Sequence, residues 1–207
     1  GQDRRTQYAE RAERDVHRQV IVVDLGQCAG GTTSACFWLC LAAGLSRCPW
    51  QLDAQALSGL ADAAQLLDDV RAMPILALDR ARPACIRNSP LGQLAEQLRL
   101  YMCSGEGAAL LQRHIMDKIY LAFAGLSVGG PARSIDMYKK WVHRLATNEF
   151  ADELVLLAVA SELKVRIVSI PFTPPGQPDW AITSYVPAHH EVPADHTIRL
   201  GNDDVHY

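Results

Sequence analysis

Apolar positions recur at helical three- and four-residue steps through most of the chain, with short β-branched runs near position 20 and after position 164. Residues 3 to 18 carry charge at nearly every helical position and predict an exposed amphipathic arm, whereas Val20 to Asp24 predicts a strand entering the core. Gly26 to Ser34, rich in Gly, Thr and Ser, predicts a loop; Ala35 to Gly44 (ACFWLCLAAG) then predicts a buried helix closed by its glycine. Leu57, Leu60, Ala64, Leu67 and Val70 mark an amphipathic helix over 52–73, with Asp53 placed to cap it.

Residues 74–90, with prolines at 74, 83 and 90, read as a connecting loop. Helices are expected over about 91–103 and 106–125, from near Pro131, and over 134–147 and 150–163. Beyond them VRIVSIPF (165–172) reads as a strand, TPPGQP as a hairpin-like link to WAITSYVP, and HTIRL with VHY as the rest of an antiparallel set. No internal repeat is visible. The expectation is an α+β (mixed α/β) fold, with a helical arm over 1–18 and one globular domain over 19–207.

Composition narrows the function classes. The 207 residues are 49% hydrophobic and 21% charged, ordinary values for a folded domain. A net charge of −3 supplies no basic stripe to neutralise phosphates, so nucleic-acid binding is not expected. The charged N-terminal residues lack the apolar core of a signal peptide, and no stretch approaches the length of a membrane span. Cysteines at 28, 36, 40, 48, 85 and 103 are too sparse for a disulfide scaffold, form no CxxC pair, and suit free thiols in a reducing, cytoplasmic setting.

Cys36 has the setting a nucleophile needs. It opens the ACFWLC helix, and a helix N-terminus favours the negative charge of a thiolate. The preceding Gly30-Gly31-Thr32-Thr33-Ser34 run can bring backbone N–H groups together as an oxyanion hole, with Thr33, Ser34 and Ala35 as its loop and Gln27 as a further donor. Cys28 lies within the loop and Cys40 one turn deeper in the helix, so both suit the role less well. A buried structural cysteine is the competing reading of Cys36 from this segment alone.

Three separated segments, in order, resemble the ovarian-tumour (OTU) family of cysteine proteases. Cys36-Phe37-Trp38 followed by LCLAAGL is similar to the family's active-site helix; Phe150-Ala151-Asp152-Glu153 leading to Val165–Ile170 is similar to its later helix and strand; Ile198-Arg199-Leu200 with His206-Tyr207 is similar to its histidine strand. The resemblance covers about a third of the chain and leaves 50–130 unmatched. It implies a papain-type fold with a small central sheet flanked by helices, and a deubiquitinase acting after the C-terminal Gly-Gly of ubiquitin, polyubiquitin or a ubiquitin-like modifier. Cys36 would be the nucleophile and His206 its base; no cofactor or metal is implied, and the site of action would be the cytosol, or a host's cytosol for a pathogen or symbiont protein.

The sequence departs from the family in two places. Thr33 and Ser34 stand where an Asp-Gly pair precedes the cysteine, and the position two beyond the histidine, acidic or amide in many members, falls past Tyr207. The resemblance therefore leaves the third triad member among Asp24, the first choice because some members take the acid from upstream of the cysteine, and Asp203 or Asp204. Asp24 also reads as a turn-capping residue beside Gly26, and Asp152 and Glu153 as caps of their helix. His114 and His143 read as surface or core fillers in helical stretches and His189-His190 as loop residues, none of them expected to bind a metal. Two alternatives stay open: a ubiquitin-binding OTU-like module without activity, and a metal or redox protein built on Cys28, Cys36, Cys40 and Cys48, whose spacing fits no usual zinc pattern.

Overall fold

The structure is a computed structural model that describes residues 3–25, 35–48, 63–74, 83–103, 136, 139–145, 151, 153–187 and 191–202. Its helices are α1 (Arg4–Val16), α2 (Cys36–Arg47), α3 (Ala63–Ala72), α4 (Pro83–Arg87), α5 (Pro90–Cys103) and α6 (Glu153–Leu163), with residues 139–145 also helical. Strands β1 (Arg166–Pro171), β2 (Thr183–Tyr185) and β3 (Thr197–Asn202) form one sheet in the order β2-β1-β3. The architecture is mixed helix and sheet, as the α+β expectation has it.

Alternation along the strands divides the core. Ile167, Ile198 and Leu200 face the main cluster, which they share with Phe37, Trp38 and Leu41 of α2, with α5 and with α6. Val168 and Ile170 face the other way and pack with Ala12, Tyr8 and Val20. The sheet is thus a middle layer between the helical body and α1.

Helix α1 differs from the exposed arm expected of it. Its amphipathic pattern is real, but one face is docked: Arg11 and Ala12 are buried, and the Arg11 guanidinium donates to the carbonyls of Pro171 and Trp180 and, at 3.3 Å, to Thr173 Oγ1. Gln7 exchanges two hydrogen bonds with the Thr173 backbone, at 2.9 and 2.7 Å. A buried guanidinium is tolerable only with such a set of acceptors, and the segment after β1 supplies them.

Three further expectations are corrected. Residues 20–24 are not a strand; they run without regular secondary structure, with Val20 on the α1 cluster and Val23 and Leu25 on the main core. Within the expected loop 74–90, residues Pro83–Arg87 form α4. β2 is antiparallel to β1 (Ile167↔Tyr185), as expected, but β3 is parallel to it (Ile167↔Ile198), because the chain crosses the sheet between β2 and β3 instead of making a second hairpin. The TPPGQP link holds a turn closed by Gln177 N–H donating to Pro174 O at 3.2 Å, with Gly176 at φ +84° where a type II turn needs a positive value.

Gly44 does not close α2. The helix continues to Arg47, and a Cβ at Gly44 would stand 2.5 Å from Ile198 Cγ2. Its missing side chain lets α2 lie directly on β3, which ties the helix carrying Cys36 to the strand leading toward His206.

Candidate active site

Cys36 is the first residue of α2 and is 1% exposed. Ala35 precedes it as N-cap in the αR region, offers no side-chain cap, and its carbonyl accepts the Leu39 N–H at 3.0 Å. The N–H groups of the first turn therefore have no carbonyl partner within the helix, the arrangement that favours an anion at this end. Phe37 and Trp38, edge-on with centroids 5.0 Å apart and fully buried, anchor the turn from below.

Asp24 lies just before the loop that leads to Cys36. Its carboxylate meets Arg5 of α1, Nη2 to Oδ2 at 3.7 Å. It also shares an electrostatic neighbourhood with the start of α2. Cys40 retains some solvent contact as a residue, yet burial pushes its thiol up to about 12, with the charges of Cys36 and then Asp24 pushing the same way. A thiol so placed stays protonated near neutrality, which leaves Cys40 a poor nucleophile.

Several contacts locate the C-terminal end of β3 relative to this group. Asp15, near the end of α1, pairs with Arg199 at 2.8 Å, and Tyr8, two turns earlier, covers Gly201. Helix α1 therefore runs antiparallel to β3. In its first turn Arg4 lies over the Phe172 ring at 5.2 Å, and Phe172 N–H donates to Asn202 O at 2.6 Å. Arg5, in that same turn, holds Asp24. The C-terminal ends of β1 and β3, the start of α1 and Asp24 thus gather at one end of the sheet. From the Gly44–Ile198 contact, eight helical residues back to Cys36 and four strand residues on to Asn202 span similar lengths, ~12 and ~13 Å.

His206, Gln27, Thr33, Ser34, Asp203, Asp204 and Asp152 lie outside the described residues, as do Cys28, His114, His189 and His190. Of the expected site, Cys36, Asp24 and Ala35 are described, and the charges of Cys36 and Asp24 each act on Cys40. His206 follows the end of β3 by four residues, a reach of at most ~14 Å. His143 is exposed on the 139–145 helix, in keeping with a surface position. Arg5 is one cation among many in α1, and nothing local to it in the sequence signals a partner at Asp24.

Among the described residues no group of three or more His, Cys, Asp or Glu side chains is placed to hold a metal, and no helix is long and apolar enough to cross a membrane. Comparison of the chain with family models, with curated proteins and with solved structures finds no match.

Proposed function

We propose that the chain is a cysteine-dependent deubiquitinase of the OTU type, hydrolysing the bond after a C-terminal Gly-Gly of ubiquitin or a ubiquitin-like modifier. The observation that supports the reading is the placement of Cys36 at the N-terminus of α2, where its N-cap residue Ala35 offers no side-chain cap. β3, whose continuation holds His206, ends on the same side of the sheet as Asp24.

In this reading His206 takes the proton of the Cys36 thiol, and the thiolate adds to the glycine carbonyl. The tetrahedral oxyanion is held by N–H groups at the start of α2 and in the loop over Thr33, Ser34 and Ala35, with Gln27 as a further donor. Collapse expels the amine, which takes the proton from His206, and leaves a thioester on Cys36. Water, deprotonated by the same imidazole, then releases the modifier's carboxylate and the thiol. Asp24 orients the imidazole and stabilises its charged form, while Arg5 keeps the carboxylate at the site.

The burial of Cys36 favours a second reading, a ubiquitin-binding module that no longer cleaves. One experiment separates the two. A ubiquitin probe with a C-terminal vinyl electrophile is expected to form a covalent adduct with the wild type, none with Cys36→Ala, and much less with His206→Ala. Binding of ubiquitin without adduct supports the module; neither binding nor adduct rejects both.

A further inference from the structure

We infer that the first two turns of α1 position the acid and histidine half of the site, Arg5 through Asp24 and Tyr8 with Arg4 through the end of β3 that leads to His206, an inference that rests on the deubiquitinase reading and adds positioning residues to it.

Arg4 and Tyr8 are four residues apart and so share one face of α1. A Cβ on Gly201 would stand 3.0 to 3.1 Å from three atoms of the Tyr8 ring, so the ring lies against the backbone of β3. Tyr8 also meets Phe172 edge-on, with centroids 6.4 Å apart, and Arg4 covers that same ring at 5.2 Å. Phe172 N–H donates to Asn202 O at 2.6 Å, which ties the ring held by Arg4 and Tyr8 to the residue four before His206.

Arg5, beside Arg4, reaches the other segment: its Nη2 lies 3.7 Å from Asp24 Oδ2, and both side chains are partly buried, where salt screens a pair less than in open solvent. One rigid helix therefore touches both the acid and the strand end. It holds the rise between Arg5 and Tyr8 to ~4.5 Å. Arg11 and Gln7 lock that helix to the segment after β1, so the offset is kept relative to the sheet as well. A misplacement of ~1 Å between reacting groups costs up to ~100-fold in rate, so a helix that fixes two of them to one another bears on turnover. Tyr8 packs with the small cluster of Ala12, Val168 and Ile170 and not with the main core, so its loss is expected to leave the helical body folded.

The test is steady-state cleavage of a fluorogenic conjugate at the C-terminus of ubiquitin by the full chain. Arg5→Gln and Tyr8→Ala are expected to lower kcat at least about tenfold with KM changed less than about twofold, the mark of a group that acts in the transition state and not in binding. Arg5→Lys and Tyr8→Phe, which keep the charge and the ring, restore most of the loss. Arg14→Gln breaks the 3.0 Å pair with Asp179 toward the other end of α1, and it is expected to keep the wild-type kcat. Thermal melting accompanies each variant; should Tyr8→Ala fail to fold, Tyr8→Leu and Arg5→Gln decide the same point. Wild-type kcat in Arg5→Gln and Tyr8→Ala, a change in KM alone, or an equal loss in Arg14→Gln overturns the inference, the last because α1 would then act only through its docking. A wild type that does not cleave, or cleavage that survives Cys36→Ala, instead rejects the deubiquitinase reading and the inference with it.

Discussion

Gly44 and Ile198 meet so closely that a methyl group on the glycine would stand 2.5 Å from the isoleucine Cγ2. Ile198 is itself buried between helix and sheet, so it has no open space to retreat into. Gly44→Ala is expected to cost ~1–3 kcal/mol despite alanine's better helix propensity, because overpacking a filled core outweighs ~1 kcal/mol of propensity. Urea denaturation measures it. A variant as stable as the wild type would show that α2 can shift without consequence. If the proposed mechanism holds, the same variant loses ubiquitin cleavage beyond its loss of stability, since the contact links the Cys36 helix to the β3 strand.

Arg11 is the second point at which one side chain holds two elements together. Removing it strands the carbonyls of Pro171 and Trp180, which it bridges from a buried position. Arg11→Ala is expected to destabilise by ~1–3 kcal/mol, the scale for leaving partly buried polar groups without their partner. Arg11→Lys rescues little, since one ammonium cannot span acceptors that a planar fork reaches together. Hydrogen exchange reads the outcome: amides of α1 and of 172–180 should lose protection together, while those of α5 do not.

These two residues also show where sequence reasoning stops. The ACFWLC helix is legible because a continuous apolar run directly after a Gly-rich loop has few other meanings, and β1 because VRIVSI is branched and bounded by a turn. The role of Gly44 is not, since it exists only once Ile198, far along the chain, is laid across it. Arg11 sits among so many charges that its burial leaves no mark in the pattern, and the arm it belongs to read as solvated. Direction in a sheet is similarly silent: HTIRL alternates alike whether it pairs parallel or antiparallel, and the chain path decides. Val20–Asp24 has the composition of a strand but joins none of the strands among the described residues. Of the site, the Cys36 position followed from local pattern, whereas the Arg5–Asp24 pair required the docked α1.

His17 ends α1 in the left-handed region, at φ 53°, while its N–H closes on Glu13 O at 2.8 Å. The side chain is exposed, so the strained backbone receives nothing in return from packing. His17→Gly relieves an αL cost of ~1–2 kcal/mol and returns part of it as unfolded-state entropy, for a net gain of ~0.5–1 kcal/mol. A rise in melting temperature checks this; a fall would mean that the imidazole contributes a stabilising interaction larger than the strain.

The buried thiols give the fold a defined alkaline limit. Cys40 and Cys103 are both pushed from an ordinary 9.0 up to about 12, chiefly by burial; at Cys103 the Arg99 guanidinium opposes the shift and Glu96 adds to it. In the folded state each thiol holds its proton to a higher pH than in the unfolded chain. Between about 9 and 12 the unfolded state therefore binds fewer protons, and stability falls as pH rises; below 9 both states are protonated and this contribution is complete and flat. Melting temperature is thus expected to decline from pH 9 upward, and less steeply in Cys40→Ala and Cys103→Ala, each compared with its own value at pH 8. Thiol titration gives an independent check on the same protein: at pH 8 exposed Cys85 should react with a disulfide reagent well before Cys40 or Cys103. Equal slopes in wild type and both variants, with equal labelling rates at all three positions, would remove burial as the cause.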